Sequence, residues 1–345
     1  MGKFQDFIPV NSALPETRRI GIYNSKGNRV GFVPLGTLTP PDLGKRLYSF
    51  GILSDIHIGE NTADTDFQKA LTFFNRQVDF VCISGDLVHA GTDAQIASYQ
   101  SIIDAYSEIP VYACSGNHDA VYVPNIETAI SSYTGQPLYY SMTQDEDVFI
   151  LVGTASSVEG ELFTKAELQW LYETLEANRN KRCLLFQHVR PEDGCGNALG
   201  IYKVDLWGGT EQTVFEILLR HYPNVVFFHG HSHLKLYLQK YNPAANIDRH
   251  FGCWSVHVPS LAVPRDTVSI VDPAIVNVYA DAEGYVADVY ENGIHLRGRD
   301  FSRNKYLPIA SYWLDTPRKT VAANTFSDST GTIQTASDTH FSESF

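Results

Sequence analysis

Five short sites in the middle of the chain carry residues able to do chemistry: Asp55-Ile56-His57, Gly85-Asp86, Gly116-Asn117-His118-Asp119, His188 after Gln187, and Gly230-His231-Ser232-His233. Aspartate oxygens, an asparagine amide oxygen and neutral imidazoles form a nitrogen- and oxygen-rich donor set. Gathered in one place, they suit borderline and hard divalent cations such as Mn, Fe, Zn or Co, and not soft thiolate chemistry. The paired histidines of the last site are the densest signal. Two imidazoles one residue apart at a strand end can turn toward one point, and Gly230 and Ser232 keep the backbone compact there. An isolated Gly-His-Ser-His reads equally well as a His-rich surface turn; the four other sites remove most of that alternative.

The elements that must position these residues follow from hydrophobic patterning. Apolar, β-branched and aromatic runs at 50–54, 80–83, 111–114, 183–186 and 225–228 read as buried strands, each ending at one of the five sites, with a further strand at 148–152. Between them, Phe67, Ala70, Leu71 and Phe74 keep the spacing of an amphipathic helix, and 93–107 reads as a second. Thr164 and Glu167 form a capping-box pair opening a helix with Leu168, Leu171, Tyr172 and Leu175 on one face. Val214, Ile217, Leu218 and His221 line another. Strand–helix alternation of this kind predicts a largely parallel, doubly covered sheet, whose binding crevice lies beyond the carboxyl ends of its strands. All five sites then face one crevice. After His233 the chain becomes β-rich, with strands expected at 252–258, 275–279, 285–290 and 294–299. Glu291-Asn292-Gly293 supplies a hairpin between the last two. These strands are expected to build a second sheet packed on the first.

The order DxH, GD, GNHD, a lone His, then GHxH resembles the calcineurin-like metallophosphoesterase superfamily, and within it the GNHD-type phosphodiesterases, over roughly residues 48–300. The resemblance implies an α/β fold, a four-layer α/β/β/α sandwich, and hydrolysis of phosphoester bonds at a binuclear metal centre. It implies a first ion held by Asp55, His57, Asp86 and His233, and a second held by Asp86, Asn117, His188 and His231. Asp86 would serve both ions, one carboxylate oxygen facing each. His118 would assist the leaving group or stabilise the transition state, and Asp119 would orient its ring. The physical case agrees. Phosphate esters repel anionic nucleophiles, and two divalent ions about 3.5–4 Å apart supply positive charge together with a competent hydroxide. Cyclic nucleotides, nucleotide diesters and glycerophosphodiesters all remain open as substrates. The rivals are a phosphomonoesterase and a non-catalytic metal-binding or assembly module on the same fold.

Composition bounds the rest. A net charge of −13 argues against extended nucleic-acid binding, though a bound cation pair can reverse the field locally. The expected partner is a small phosphoester. The five cysteines, Cys82, Cys114, Cys183, Cys195 and Cys253, lack CxxC spacing, and three sit in strand-like runs as small core residues. The N-terminus shows no apolar signal region and no run reaches membrane-spanning length, so a cytoplasmic protein without membrane contact is expected. Residues 1–46 read as a small β appendage, with a hairpin around Asn24–Asn28, 47–315 as the main domain, and 316–345, rich in Ser and Thr, as a tail. The terminal segments leave open attachment to a larger assembly. His89 reads as an exposed loop residue rather than a substrate contact, and His229, His250, His257 and His295 as structural. In the Gly-rich loop 189–209, Arg190 offers a phosphate contact and Tyr202 and Trp207 a stacking surface.

Overall fold

The computed structural model describes residues 43–316, apart from 122–124, 158–160, 192–193, 197–208, 241–244, 268–274 and 278–280. Outside that span it describes the strand segments 19–23, 29–34, 326–327 and 333–334. The expected tail, 316–345, therefore lies almost wholly outside the described residues.

In chain order the first half comprises β1 (Arg19–Tyr23), β2 (Arg29–Pro34), β3 (Arg46–Leu53), α1 (Ala63–Phe74), β4 (Phe80–Ser84), α2 (Asp93–Tyr106), β5 (Val111–Cys114), α3 (Asn117–Ala120), α4 (Ile126–Thr134), β6 (Tyr139–Gln144) and β7 (Asp147–Val152). The second comprises α5 (Lys165–Ala177), β8 (Cys183–Phe186), α6 (Gly209–His221), β9 (Val225–His229), β10 (Ile247–Asp248), β11 (Trp254–His257), β12 (Arg265–Thr267), β13 (Ile275–Asn277), β14 (Glu283–Tyr290), β15 (Gly293–Asp300) and β16 (Lys305–Asp315).

Local sequence accounts for the helices. In α1 the expected residues Phe67, Ala70, Leu71 and Phe74 are all buried, together with Ala63 and Asp66 of its first turn. Thr164 caps α5 by accepting from Glu167 N at 3.2 Å, while the Glu167 carboxylate accepts from Thr164 N at 2.7 Å. In α6 the buried face is Val214, Phe215, Leu218 and Leu219, and Ile217 is 51% exposed. The expected face was thus rotated by about one position, because the helix seats Phe215 on Phe163 and Phe227.

Two large sheets form, in the orders β2-β1-β16-β15-β14-β3-β4-β5 and β10-β11-β9-β8-β7-β6. The C-terminal strands do not build a separate second sheet, as expected from their order. Antiparallel β14 zips onto β3, Tyr285 opposite Ile52, so the late strands extend the sheet begun by the early ones. The parallel strands are shared out instead: β3, β4 and β5 lie in one sheet, β7, β8, β9 and β11 in the other. The N-terminal strands pair as a hairpin and continue the larger sheet through a parallel contact with β16. The hairpin between β14 and β15 turns on Glu291 and Asn292, with Tyr290 opposite Gly293.

Between the sheets lies a core of Phe50, Phe80, Phe149, Phe186, Phe228 and their aliphatic neighbours. Phe186 stacks on Phe228 with ring centroids 4.7 Å apart. The outer face of the larger sheet is covered by α1, α2 and α4, that of the smaller by α5 and α6. The result is an α/β/β/α sandwich. Strands buried on both faces explain the unbroken apolar runs in the sequence. All five cysteines are buried and free. No helix among the described residues is long and apolar enough to cross a membrane.

One buried ionic cluster ties the sheets together. Arg182 grips Asp147 through Nε at 3.1 Å and Nη2 at 2.7 Å, and Tyr48 of the opposite sheet donates to the same carboxylate at 2.7 Å. Arg182 Nη1 also donates to the carbonyl oxygen of Gly293. Arg182→Leu leaves Asp147 buried without its cation, so a loss of about 3–5 kcal/mol is expected in denaturant unfolding. A loss below about 1 kcal/mol would deny the cluster this role.

Candidate metal centre

Parallel strands place their carboxyl ends on one edge, and the five motif loops leave from it. Five motif residues turn there with positive φ: Asp55 at 52°, His57 at 51°, Asp86 at 51°, His231 at 71° and His233 at 60°. Non-glycine residues rarely adopt this conformation, at a cost of about 1–3 kcal/mol each, and it persists only where the surroundings enforce it. Here they do. Asp55 N donates to Gly85 O at 3.0 Å, His57 N to Asp86 O at 3.0 Å, and His231 N to Asp55 Oδ2 at 3.2 Å. Glycine is required where loops touch: a Cβ on Gly116 would overlap the Asp86 carboxylate, and one on Gly230 would overlap Ser54.

The donor atoms of Asp55, His57, Asp86 and His233 all lie within 4.8 Å of one another, and all four residues are buried. His233 Nε2 is 2.9 Å from Asp55 Oδ1 and 3.2 Å from His57 Nε2. On the far side of Asp86, His188 Nε2 stands 3.0 Å from Asp86 Oδ2 and 3.7 Å from Asp55 Oδ1. His231 Nδ1 and Asn117 Oδ1 are 3.0 Å apart, and the His231 ring is 5.4 Å from that of His188. All seven residues singled out as ligands in the sequence therefore converge. Asp86 does not divide its two oxygens as expected. Oδ1 accepts the backbone N–H of His118 at 2.8 Å, and Oδ2 alone faces both His57, at 3.5 Å, and His188.

Asp55 Oδ1, Asp86 Oδ2 and His188 Nε2 are buried, and among the described residues none makes a well-directed hydrogen bond. Crowding such atoms together is costly unless something satisfies them. A cation between them would do so, and the donor types fit one. Charge is arranged accordingly. Burial alone would raise both carboxylates, but His233 and His188 beside Asp55, and His188 beside Asp86, hold them well below the usual range. Burial pushes His231 down to about 3 and lowers His57, keeping both as neutral donors. His188 is the exception: opposed by burial, the charges of Asp86 and Asp55 push it up to about 9, so a cation bound there would have to displace its proton.

His118 is half-buried beside His57, the ring centroids 4.6 Å apart. Its Nδ1 meets the backbone carbonyl of His89 at 2.7 Å. Asp119 does not orient this ring, contrary to expectation. Its carboxylate accepts from the backbone N–H groups of Leu87, Val88 and Gly116 at 2.7–3.2 Å, fastening the Gly85-Asp86 loop to the Gly116 turn. Burial and the nearby Asp86 charge push Asp119 up to about 7.

His89 is more than a loop residue. Its ring lies 5.2 Å from that of His118 and 5.7 Å from that of His57, on the lip of the site, and its Nε2 pairs with Glu60 at 3.2 Å. Arg190 is fully buried and donates to Pro191 O, so its guanidinium is packed away from solvent. Tyr202 and Trp207 lie outside the described residues. His229 hydrogen-bonds within the core near Ser255 and Cys195, and His257 donates to Leu234 O. A sixth loop, after β11, went unread. Val263 O holds His233 Nδ1 at 3.0 Å, and Ser260 Oγ donates to Asp55 O at 3.1 Å. Its only sequence signal is that it follows a strand.

The profile of the calcineurin-like phosphoesterase family matches residues 48–235, more than half the chain and every motif above. The chain belongs to that family. Among solved structures it is similar to GAP50, described as the anchor in the inner membrane complex of Plasmodium, with 15% identity, 80% of this chain and 90% of that one covered, and a TM-score of 0.53. It is also similar to purple acid phosphatase PPD1 from yellow lupin (Lupinus luteus) seeds, with 16% identity, 83% of this chain and 59% of that one covered, and a TM-score of 0.50. These likenesses establish the calcineurin-like fold. No curated protein matches the chain.

Proposed function

We propose that this calcineurin-like phosphoesterase is a metal-dependent hydrolase of small phosphodiesters. The observation that carries the reading is the convergence of Asp55, His57, Asp86 and His233 within 4.8 Å around unsatisfied buried donor atoms. These four residues would hold one divalent ion, and Asp86, Asn117, His188 and His231 would hold a second, with Asp86 serving both. Ions bound there supply a water of lowered pKa and positive charge for the phosphoryl oxygens. The protein's own part is to fix the donors and to manage the leaving group. The carbonyl of His89 anchors His118 at Nδ1, leaving Nε2 to carry the proton given to the departing oxygen. Likeness of Gly116-Asn117-His118-Asp119 to the GNHD type supports diesters over monoesters.

Treatment with a strong chelator is expected to abolish hydrolysis of bis(nitrophenyl) phosphate. Mn, Fe, Zn or Co should restore it, with about two ions per chain by elemental analysis. Undiminished turnover by metal-stripped protein would sink the reading, and a faster rate on monoesters would reassign the substrate. GAP50, a protein described as an anchor, shares the fold, so an assembly module is the second reading. Metal uptake without turnover on any phosphoester would favour it.

A further inference from the structure

Away from the metal centre, a groove of about 680 Å³ runs between α1 and the hairpin joining β15 to β16. Among the described residues three cations line it, Lys69, Arg76 and Arg299, together with the aromatic side chains Phe73, Tyr106 and Phe301, and none of the lining is acidic. In a chain of net charge −13, that composition is unusual. Lys69 is held by Asp66 at 2.8 Å. Among the described residues the two arginines have no such partner.

Arg299 is the decisive residue. It is 5% exposed, and its guanidinium lies 4.2 Å from the Phe73 ring centroid and 5.0 Å from that of Tyr306. Among the described residues its side chain makes one hydrogen bond, from Nη2 to Asn304, and no ion pair; its Nε is buried without a partner. The adjacent Asp300 is already engaged by Ser302 Oγ at 2.7 Å and Arg303 Nη1 at 2.8 Å. A buried guanidinium normally has a carboxylate or a full set of acceptors, because desolvating an unpaired charge is costly. Burial lowers the pKa of Arg299, in keeping with that cost. Two flanking rings fix its plane, and a planar fork of donors is the geometry that recognises phosphate. Arg76, exposed in the turn that follows α1, adds a second guanidinium with no ion pair among the described residues. The groove's volume lies within the roughly 300–1,000 Å³ usual for small-ligand sites.

We propose that this groove binds a small organic phosphate of mononucleotide size, the phosphate on Arg299 and Arg76 and the ring against the aromatic wall. The proposal is independent of hydrolysis at the strand ends, since the groove shares no residue with the metal cluster.

Calorimetric titration of the full-length protein with adenosine monophosphate, in excess chelator, isolates this site from metal-dependent binding. One equivalent should bind, and orthophosphate should bind about tenfold more weakly, because it lacks the ring. Arg76→Gln, a surface change that leaves the fold alone, should weaken binding about tenfold or more, the value of a lost charge-assisted contact. Arg299→Gln should weaken it further, with its melting curve checked against the parent. Lys165→Gln, on α5 at the other side of the molecule, should change nothing. No saturable binding, or affinity unchanged in both arginine variants, overturns the proposal. Orthophosphate binding as tightly as the nucleotide overturns the assignment to an organic phosphate.

Discussion

Asp86→Ala is expected to abolish hydrolysis and to strip the protein of both ions, the largest effect of any single ligand change. The argument rests on Oδ2, which faces His57 at 3.5 Å and His188 at 3.0 Å, so one truncation empties both halves of the donor set. Losing a group that only orients a ligand typically costs about 10–100-fold in metal affinity. Losing the ligand shared by two ions should cost more. Alanine also removes Oδ1, the acceptor of His118 N, and so loosens the loop that carries His118. Asp86→Asn separates the two effects. Its amide oxygen can still accept His118 N–H, while the negative charge is gone, so it should keep the melting temperature of the metal-stripped parent and still lose metal. Elemental analysis, thermal unfolding and turnover on one preparation decide the matter. Two tightly bound ions and a near-normal rate in either variant would mean that Asp86 does not bridge.

The convergence of the site could be anticipated because every ligand sits in a short motif directly after a buried strand. Parallel strand ends gather on one edge whatever their order, so Asp55, Asp86, Asn117, His188 and His231 meet without further information. What holds them was hidden. His233, His188 and His118 are anchored by the carbonyls of Val263, Ser84 and His89, and a backbone carbonyl carries no residue identity to read. The division into two sheets was equally hidden, because β3 takes β14 as a neighbour and no local pattern encodes a pairing so distant in sequence. Periodicity found the long helices but not α4, nine residues opened by an Asn125 cap, nor β6, an edge strand whose side chains are only half-buried or exposed. Asp119 shows the limit of motif reasoning: its place in GNHD suggested a tie to the adjacent ring, whereas three backbone N–H groups take its carboxylate.

His118→Ala should lower turnover by about 10²–10⁴-fold on an ester with a poor leaving group while leaving metal content nearly intact, the range typical of general acid assistance. Its ring nitrogens contact no member of the Asp55, His57, Asp86, His233 cluster by hydrogen bond; Nδ1 is taken by His89 O, and only the backbone N–H reaches Asp86. Alanine keeps that backbone donor, so the metal ligands should stay in place. The defect should shrink on a nitrophenyl diester, whose leaving oxygen departs with little protonation. Asp119→Asn provides the contrast. Its carboxylate fastens the Asp86 loop to the Gly116 turn, and an amide would set an NH₂ group against N–H donors. It should therefore lower the melting temperature and metal content, and slow both esters alike. The comparison is of leaving groups within one variant, with metal content as control. Equal losses on both esters in His118→Ala would make His118 an electrostatic or positioning residue, and loss of an ion would place it among the ligands.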